Sequence, residues 1–188
     1  EELVTSLVTN LGAEQDLLEE TPEHCLQLRV DRPVLTNAEL EAIRRADRPG
    51  LKAITLPALF PVAEDGEGLR RAMEALCAKA SQAIDDGCTI LILSDRGFDK
   101  RMAPIPMALA VGGVHHHLVR ELKRTRCGIV VESGEPREPQ HFAVLHGYGA
   151  GAINPYLAFE MIDHMIANDE LMGIDATKAR NNYIKAMD

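Results

Sequence analysis

Three short apolar runs in this chain each end on a polar string. Thr89–Leu93 runs into Ser94-Asp95-Arg96, Gly128–Val131 into Glu132-Ser133-Gly134-Glu135, and Ala150–Ile153 into Asn154-Pro155-Tyr156. Thr89–Leu93 reads Thr-Ile-Leu-Ile-Leu, the near-continuous apolar pattern of a strand covered on both faces. Parallel strands need long crossovers, and helical stretches fill the intervals between these runs. Polar residues stacked at the carboxyl ends of successive parallel strands form the edge where α/β proteins place ligands and interfaces.

The periodicity between the runs supports this frame. Lys52–Leu56 reads as a first strand, followed by a helix over Gly68–Asp86. Its apolar stripe is Leu69, Met73, Leu76, Ala80 and Ala83, at spacings of three and four. A second helix is expected from Pro104 or Pro106, with Met107, Val111, Val114, Leu118 and Leu122 on one face. Helices Glu138–Gly147 and Tyr156–Asn168 follow the next two strands, and a last helix over about Asp175–Met187 has Asp175 as its N-cap. The expectation is an α/β fold with four consecutive β/α units forming a parallel sheet. Four such units resemble half of a (β/α)8 barrel, or equally one side of an open sheet.

Residues 1–50 lack this regularity and read as an irregular N-terminal arm or linker, leaving 51–188 as the α/β domain. Thr21-Pro22 suits the start of a short helix, with Pro22 at its first position. Thr36-Asn37-Ala38-Glu39 is a capping-box string before a helix over Ala38–Ala46. Leu28–Leu35 is extended and contains Pro33. The scattered Leu3, Leu7, Leu11, Leu17 and Leu18 imply an arm that wraps over another surface. Both ends read as cut, the chain opening on Glu1-Glu2 and closing part-way along a helix, so a larger polypeptide is expected.

Composition excludes some functions. A net charge of −9 argues against a broad nucleic-acid surface. No apolar run approaches a membrane span. The basic string Lys123-Arg124-Thr125-Arg126 suits the C-terminal end of a helix dipole. Cys25, Cys77, Cys88 and Cys127 follow no metal-ligand spacing; Cys88 and Cys127 each open a buried strand, where Cys packs as a small hydrophobe. That pattern points to a reducing, cytoplasmic setting.

The chemistry-bearing residues are Ser94, Asp95, Arg96, Glu132, Ser133, Glu135, Asn154 and Tyr156 at the strand ends, and His115, His116 and His117 within a helix. Successive helical residues are turned about 100° apart, so the three histidines point in different directions instead of converging on a metal. They are expected to hydrogen-bond into the sheet edge or an interface. Ser133 has no Gly-x-Ser-x-Gly elbow and no evident His/Asp partners. Gly147-Tyr148-Gly149-Ala150-Gly151 follows a helix and precedes a strand, the wrong order for a phosphate cradle and the right one for a helix C-cap with a tight turn. No catalytic, cofactor or metal set emerges. The strand-end residues read as structural or interdomain contacts, with a small α/β enzyme or a metabolite-binding regulatory module as the alternatives.

One ordered series of strings resembles a known family: Thr89–Arg96, Ala103–Met107, Gly113–Leu118, Val131–Glu135, and Gly147–Ala150 with Asn154–Leu157. Leu11-Gly12, Asp16–Leu18 and Pro33–Asn37 extend it through the arm. The series is similar to the central domain of the glutamate synthase large subunit over nearly the whole chain. That resemblance implies a non-catalytic α/β unit between a glutamine amidotransferase domain and an FMN-binding synthase domain, beside the ammonia path. It implies FMN and an iron–sulfur cluster in the parent enzyme and none here, with a small electron-transfer subunit as a possible further partner.

Overall fold

The structure is a computed structural model that describes residues 6–188. Leu3 therefore lies outside the described residues. The chain runs β1 (Thr9–Gly12), a 3₁₀ turn (Pro22–Cys25), β2 (Gln27–Val30), α1 (Asn37–Arg44), β3 (Asp47–Arg48), β4 (Leu51–Pro57), β5 (Leu59–Pro61) and α2 (Asp65–Asp85). Then follow β6 (Ile90–Ser94), β7 (Met102–Pro104), α3 (Met107–Arg120), β8 (Gly128–Glu132), α4 (Pro139–Gly147), β9 (Ala152–Asn154), α5 (Tyr156–Ala167) and α6 (Ala176–Met187).

The main sheet has five strands in the order β3-β4-β6-β8-β9. β4, β6, β8 and β9 are parallel and neighbour one another in chain order, as expected. The sheet is nevertheless mixed, because β3 folds back antiparallel on β4, Asp47 facing Lys52 and Arg48 facing Leu51. β3 is two exposed charged residues, so no apolar pattern announced it. The tight Asp47–Leu51 reversal makes it pair.

Alternation along the buried strands sends side chains to two cores. Leu91 and Leu93 of β6, Ile129 and Val131 of β8 and Ile153 of β9 face a layer built by α2 to α6. Ile90, Ile92, Val130 and Ala152 face the other way, onto Leu11, Leu35, Leu40 and Ile43 from the first fifty residues. The arm thus covers the second sheet face. Its backbone also reaches the far edge: Val34 bridges Ile153 in parallel, with Leu35 N–H on Ile153 O at 2.8 Å and Ile153 N–H on Pro33 O at 2.7 Å. With β3 on the opposite edge, both flanks of the parallel strands are closed by residues that precede the first β/α unit. Gly128 permits the arm's close approach, since a Cβ there would lie 2.9 Å from the Gly12 nitrogen.

Several local expectations are corrected. The helices follow their predicted stripes, with Leu76, Ala80 and Ala83 of α2 buried and Leu69 and Met73 packed beside them. Leu122 does not continue the α3 stripe. The helix ends at Arg120, and Leu122 sits in the following turn at φ +56°, 88% exposed. Of the arm leucines, Leu11 is buried while Leu7, Leu17 and Leu18 are exposed, so only the segment that crosses the sheet wraps it. The capping box forms as read, with Thr36 Oγ1 accepting from Glu39 N–H and the Glu39 carboxylate accepting from Thr36 N–H. Asp175 caps α6 through Lys178 N–H at 2.9 Å.

Candidate functional site

Register brings the polar strand ends together. Ser94 is the Cα partner of Glu132, and Glu132 that of Asn154, so the last residues of β6, β8 and β9 lie side by side. Ser94, Asp95, Glu132, Ser133 and Asn154 are all buried, an unusual density of polar groups that demands partners.

Glu132 has three. Its carboxylate accepts from Ser94 Oγ at 2.5 Å, Arg44 Nη2 at 2.9 Å and Arg96 Nε at 2.9 Å. Arg44 arrives from α1, where its guanidinium also donates to Glu41 and to Thr55 on β4. Arg96 turns back from the loop after β6, donates to Glu160 of α5 at 3.1 Å and lies 3.9 Å over the Tyr156 ring, a cation–π contact. One buried carboxylate is therefore clamped between cations from the arm and from the sheet edge.

Asp95 is held differently. Its oxygens accept from Ser133 Oγ at 2.6 Å and from Gly134 N–H at 3.0 and 3.2 Å. Ser133 Oγ accepts in turn from Glu135 N–H at 3.1 Å, as Ser94 Oγ does from Arg96 N–H at 3.2 Å. Each serine ties a carboxylate to the backbone of its own loop. The Tyr156 hydroxyl is buried beside this network, and burial, then the Asp95 carboxylate, push its pKa upward. Glu135 is exposed and serves α3, its carboxylate accepting from Met107 N–H at 3.0 Å. It supplies the helix cap that Pro106 cannot. Asn154 donates through Nδ2 to Leu35 O and Asn37 Oδ1, fixing the arm to the last strand.

A cleft of about 300 Å³ opens over the clamp, lined by Asn37, Leu40, Glu41, Arg44, Arg96 and Glu132. Its carboxylate and guanidinium groups are already engaged with one another. Ser133 Oγ donates a hydrogen bond to Asp95, and no histidine is bonded to it among the described residues. The arrangement ties the strand-end loops to one another and to the arm.

The three histidines are elsewhere. His115 Nδ1 accepts from Arg124 Nε at 3.0 Å, and Arg124 donates onward to Cys127 O at 2.7 Å and Gly149 O at 2.9 Å. Cys127 and Gly149 precede β8 and β9, so this cluster lies at the opposite, N-terminal end of the strands. His117 Nε2 is 3.2 Å from Ser81 Oγ on α2, and His116 is exposed. Against the expectation of three separate directions, the His115 and His116 rings meet edge to face with 5.1 Å between centroids, and only His117 turns away to α2. Among the described residues no group of His, Cys, Asp and Glu is arranged to hold a metal. Burial, then Arg124, then His116 lower the His115 pKa.

Sequence reasoning missed Arg44, Thr55, Asn37 and Glu160. Glu160 had a signal, lying one helical turn after Tyr156 on α5. Arg44 had none, standing 88 residues before Glu132 on an ordinary charged helix.

Comparison with known proteins assigns this architecture. The profile of the glutamate synthase central domain family matches residues 1–188. The chain belongs to that family. It is 45% identical over 187 residues to the glutamate synthase [NADPH] large chain of Bacillus subtilis (strain 168), covering all of this chain and 12% of that protein. It is 37% identical over 199 residues to the ferredoxin-dependent glutamate synthase of Pyropia yezoensis, covering all of this chain and 13% of that protein. Against the glutamate synthase [NADH] of Schizosaccharomyces pombe (strain 972 / ATCC 24843), identity is 35% over 190 residues, all of this chain and 9% of that protein. The chain spans about an eighth of the length of the first of these relatives. Among the described residues no helix is long and apolar enough to cross a membrane.

Proposed function

We propose that this domain is a non-catalytic spacer in a glutamate synthase polypeptide, joining an amidotransferase domain to an FMN-binding synthase domain through the polar end of its sheet. One observation carries the reading: the buried acids at the strand ends, where an α/β enzyme would place its chemistry, are already hydrogen-bonded to side chains and backbone of this same chain. A general base needs a free lone pair facing substrate. Asp95 and Glu132 instead spend theirs on loops and on the arm.

The arm, residues 1–50, and the α/β unit, residues 51–188, act as one body in this reading, because each supplies half of the second core. Sequential parallel strands with every crossover helix on one face favour a half-barrel architecture, in which the arm takes the place of the missing strands. FMN and an iron–sulfur cluster would sit in the neighbouring domains, with a small electron-transfer subunit as a further partner. Four free cysteines fit a reducing compartment such as the cytoplasm.

The test uses the full-length parent polypeptide. Glu132→Ala is expected to lower the melting temperature or to uncouple glutamine hydrolysis from glutamate formation, while ammonia-dependent synthesis persists in the folded fraction. An unchanged melting temperature with loss of the ammonia-dependent reaction would make Glu132 catalytic and end the spacer reading.

A further inference from the structure

We propose that the turn Asp16-Leu17-Leu18-Glu19, in the connection between β1 and β2, is a docking knob that enters an apolar socket rimmed by lysine or arginine on a flanking domain of the same polypeptide. The proposal rests on the spacer reading for those domains and adds a contact away from the polar end of the sheet. Leu17 and Leu18 are 92% and 94% exposed, the two most exposed large apolar side chains among the described residues. Single apolar residues at a surface are ordinary, but an adjacent pair offered whole to water and rimmed by charge marks a protein contact.

The pair is held out by a built turn. Glu19 N–H donates to Asp16 O at 3.1 Å and Leu18 N–H to the Asp16 carboxylate at 2.9 Å. The leucines thus occupy the two central positions of a β-turn whose first residue is the favoured Asp. Both stems are anchored. Ala13 O accepts from Gln27 Nε2 at 3.0 Å, Glu14 N–H donates to Thr125 O at 2.7 Å, and Glu19 O accepts from the His24 ring at 2.6 Å. A knob fixed in this way has less freedom to lose on docking. The Thr125 bond sets the stem at the N-terminal end of the strands, beside the turn that leaves Leu122 88% exposed.

Charge identifies the socket. Residues 13–23 contain Glu14, Asp16, Glu19, Glu20 and Glu23, all exposed, and no lysine or arginine. Among the described residues no lysine or arginine forms an ion pair with any of these acids. The basic string beside the stem is committed elsewhere, Lys123 and Arg126 to Asp85 and Arg124 to His115, Cys127 O and Gly149 O. An uncompensated acidic rim around an apolar tip is complementary to a basic rim around an apolar hollow. All of this chain covers 12% of the Bacillus subtilis relative, so most of such a polypeptide lies outside these residues and can supply that hollow. A tethered partner is present at high effective concentration, so a small contact suffices.

The experiment is hydroxyl-radical footprinting of the full-length polypeptide, read by mass spectrometry and scaled to a synthetic peptide of residues 12–25. Leu17 and Leu18 should be oxidised at least about tenfold more slowly than in the peptide, independently of protein concentration. Glu19→Lys with Glu20→Lys leaves the backbone bonds of the turn in place and sets like charges against the rim. It should return both leucines to within about twofold of the peptide rate. In the unmodified polypeptide, salt raised to about 1 M shortens the screening length to about 3 Å and should move the rates the same way. Oxidation at the peptide rate in the unmodified polypeptide would overturn the proposal. So would protection that fades when the polypeptide is diluted or dissociated to single chains, which a second copy would give. Protection that survives the charge reversal, or survives salt where that variant does not fold, would overturn it too. Phe98, 51% exposed on the loop after β6, separates the two readings in the same samples. Phe98 protected beside freely oxidised leucines keeps the spacer reading and sinks the knob; the reverse keeps the knob and removes the polar-end contact.

Discussion

The two ends of the parallel sheet carry polar networks of opposite construction. At the C-terminal end, buried carboxylates are neutralised by groups far away in sequence, Glu132 by Arg44 at a separation of 88 residues and by Arg96 at 36. At the N-terminal end a single arginine, Arg124, satisfies a neutral histidine and two carbonyls, none more than 25 residues away. One network closes only when the arm has docked on the finished sheet. The other closes within consecutive β/α units. The first therefore reports on tertiary assembly, the second on the local geometry of the turns.

The largest expected effect breaks the C-terminal clamp asymmetrically. Replacing both Arg44 and Arg96 by Ala strands a carboxylate that is 6% exposed, and loss of a buried charge's partners costs roughly 3–5 kcal/mol. Glu132→Ala leaves two arginines that are 29% and 41% exposed and can turn to water, so about 1–3 kcal/mol is expected. Denaturant melts of the two variants should show that order. A reversed order would mean that the arginines, and not the acid, are the costly groups to leave behind.

Gly149→Ala attacks the other end. Gly149 has φ +114°, and a Cβ there would lie 2.4 Å from His115 Nδ1, so both backbone and neighbour must move. About 1–3 kcal/mol is expected from the backbone alone, with loss of the His115–Arg124 bond. The arm should stay docked, so fast amide exchange should spread through α3 and α4 and spare α1. Spread of exchange into α1 would erase the distinction between a local and an assembled network.

Glu135→Ala is a smaller probe. It removes the carboxylate that caps α3 from the β8–α4 loop, a loss of about 1 kcal/mol by analogy with other helix caps. Glu135→Gln, which keeps an acceptor, should recover part of that loss in the same thermal melt.

The same contrast explains what could be read in the sequence. Helices α2 and α3 were legible from a period of 3.6 and strands β6, β8 and β9 from apolar runs, while α4 to α6 were read from their place between strands and from the Asp175 cap. The stacking of Ser94, Glu132 and Asn154 followed from their common place after parallel strands. β3 was invisible because two exposed charged residues have no pattern, and its pairing depends on the strand that follows. Arg44 was invisible as a ligand because an exposed-looking arginine on an amphipathic helix becomes a buried acid's partner only after long-range docking. His115–His117, grouped with the strand-end residues by sequence, lie away from that edge because α3 carries them back toward the start of the next strand.

His115 sharpens the comparison by pH. Its Nδ1 accepts a hydrogen bond from the Arg124 guanidinium, which requires an unprotonated nitrogen there, and burial with the nearby cation lowers its pKa below the ordinary histidine value. The folded state therefore resists a proton that the unfolded chain accepts. Above the unfolded value of about 6.5 the group has no effect on stability, because it is neutral in both states. As pH falls from there to the lowered folded value, the unfolded chain binds more protons and stability declines. His115→Gln, which retains an acceptor without titrating, should flatten the melting-temperature profile as pH falls below about 6.5, while removing the C-terminal clamp should leave that segment of the profile unchanged in shape. A wild-type melting temperature that rises on acidification through this window would show that His115 takes up a proton in the folded state, and that Arg124 does not hold it neutral.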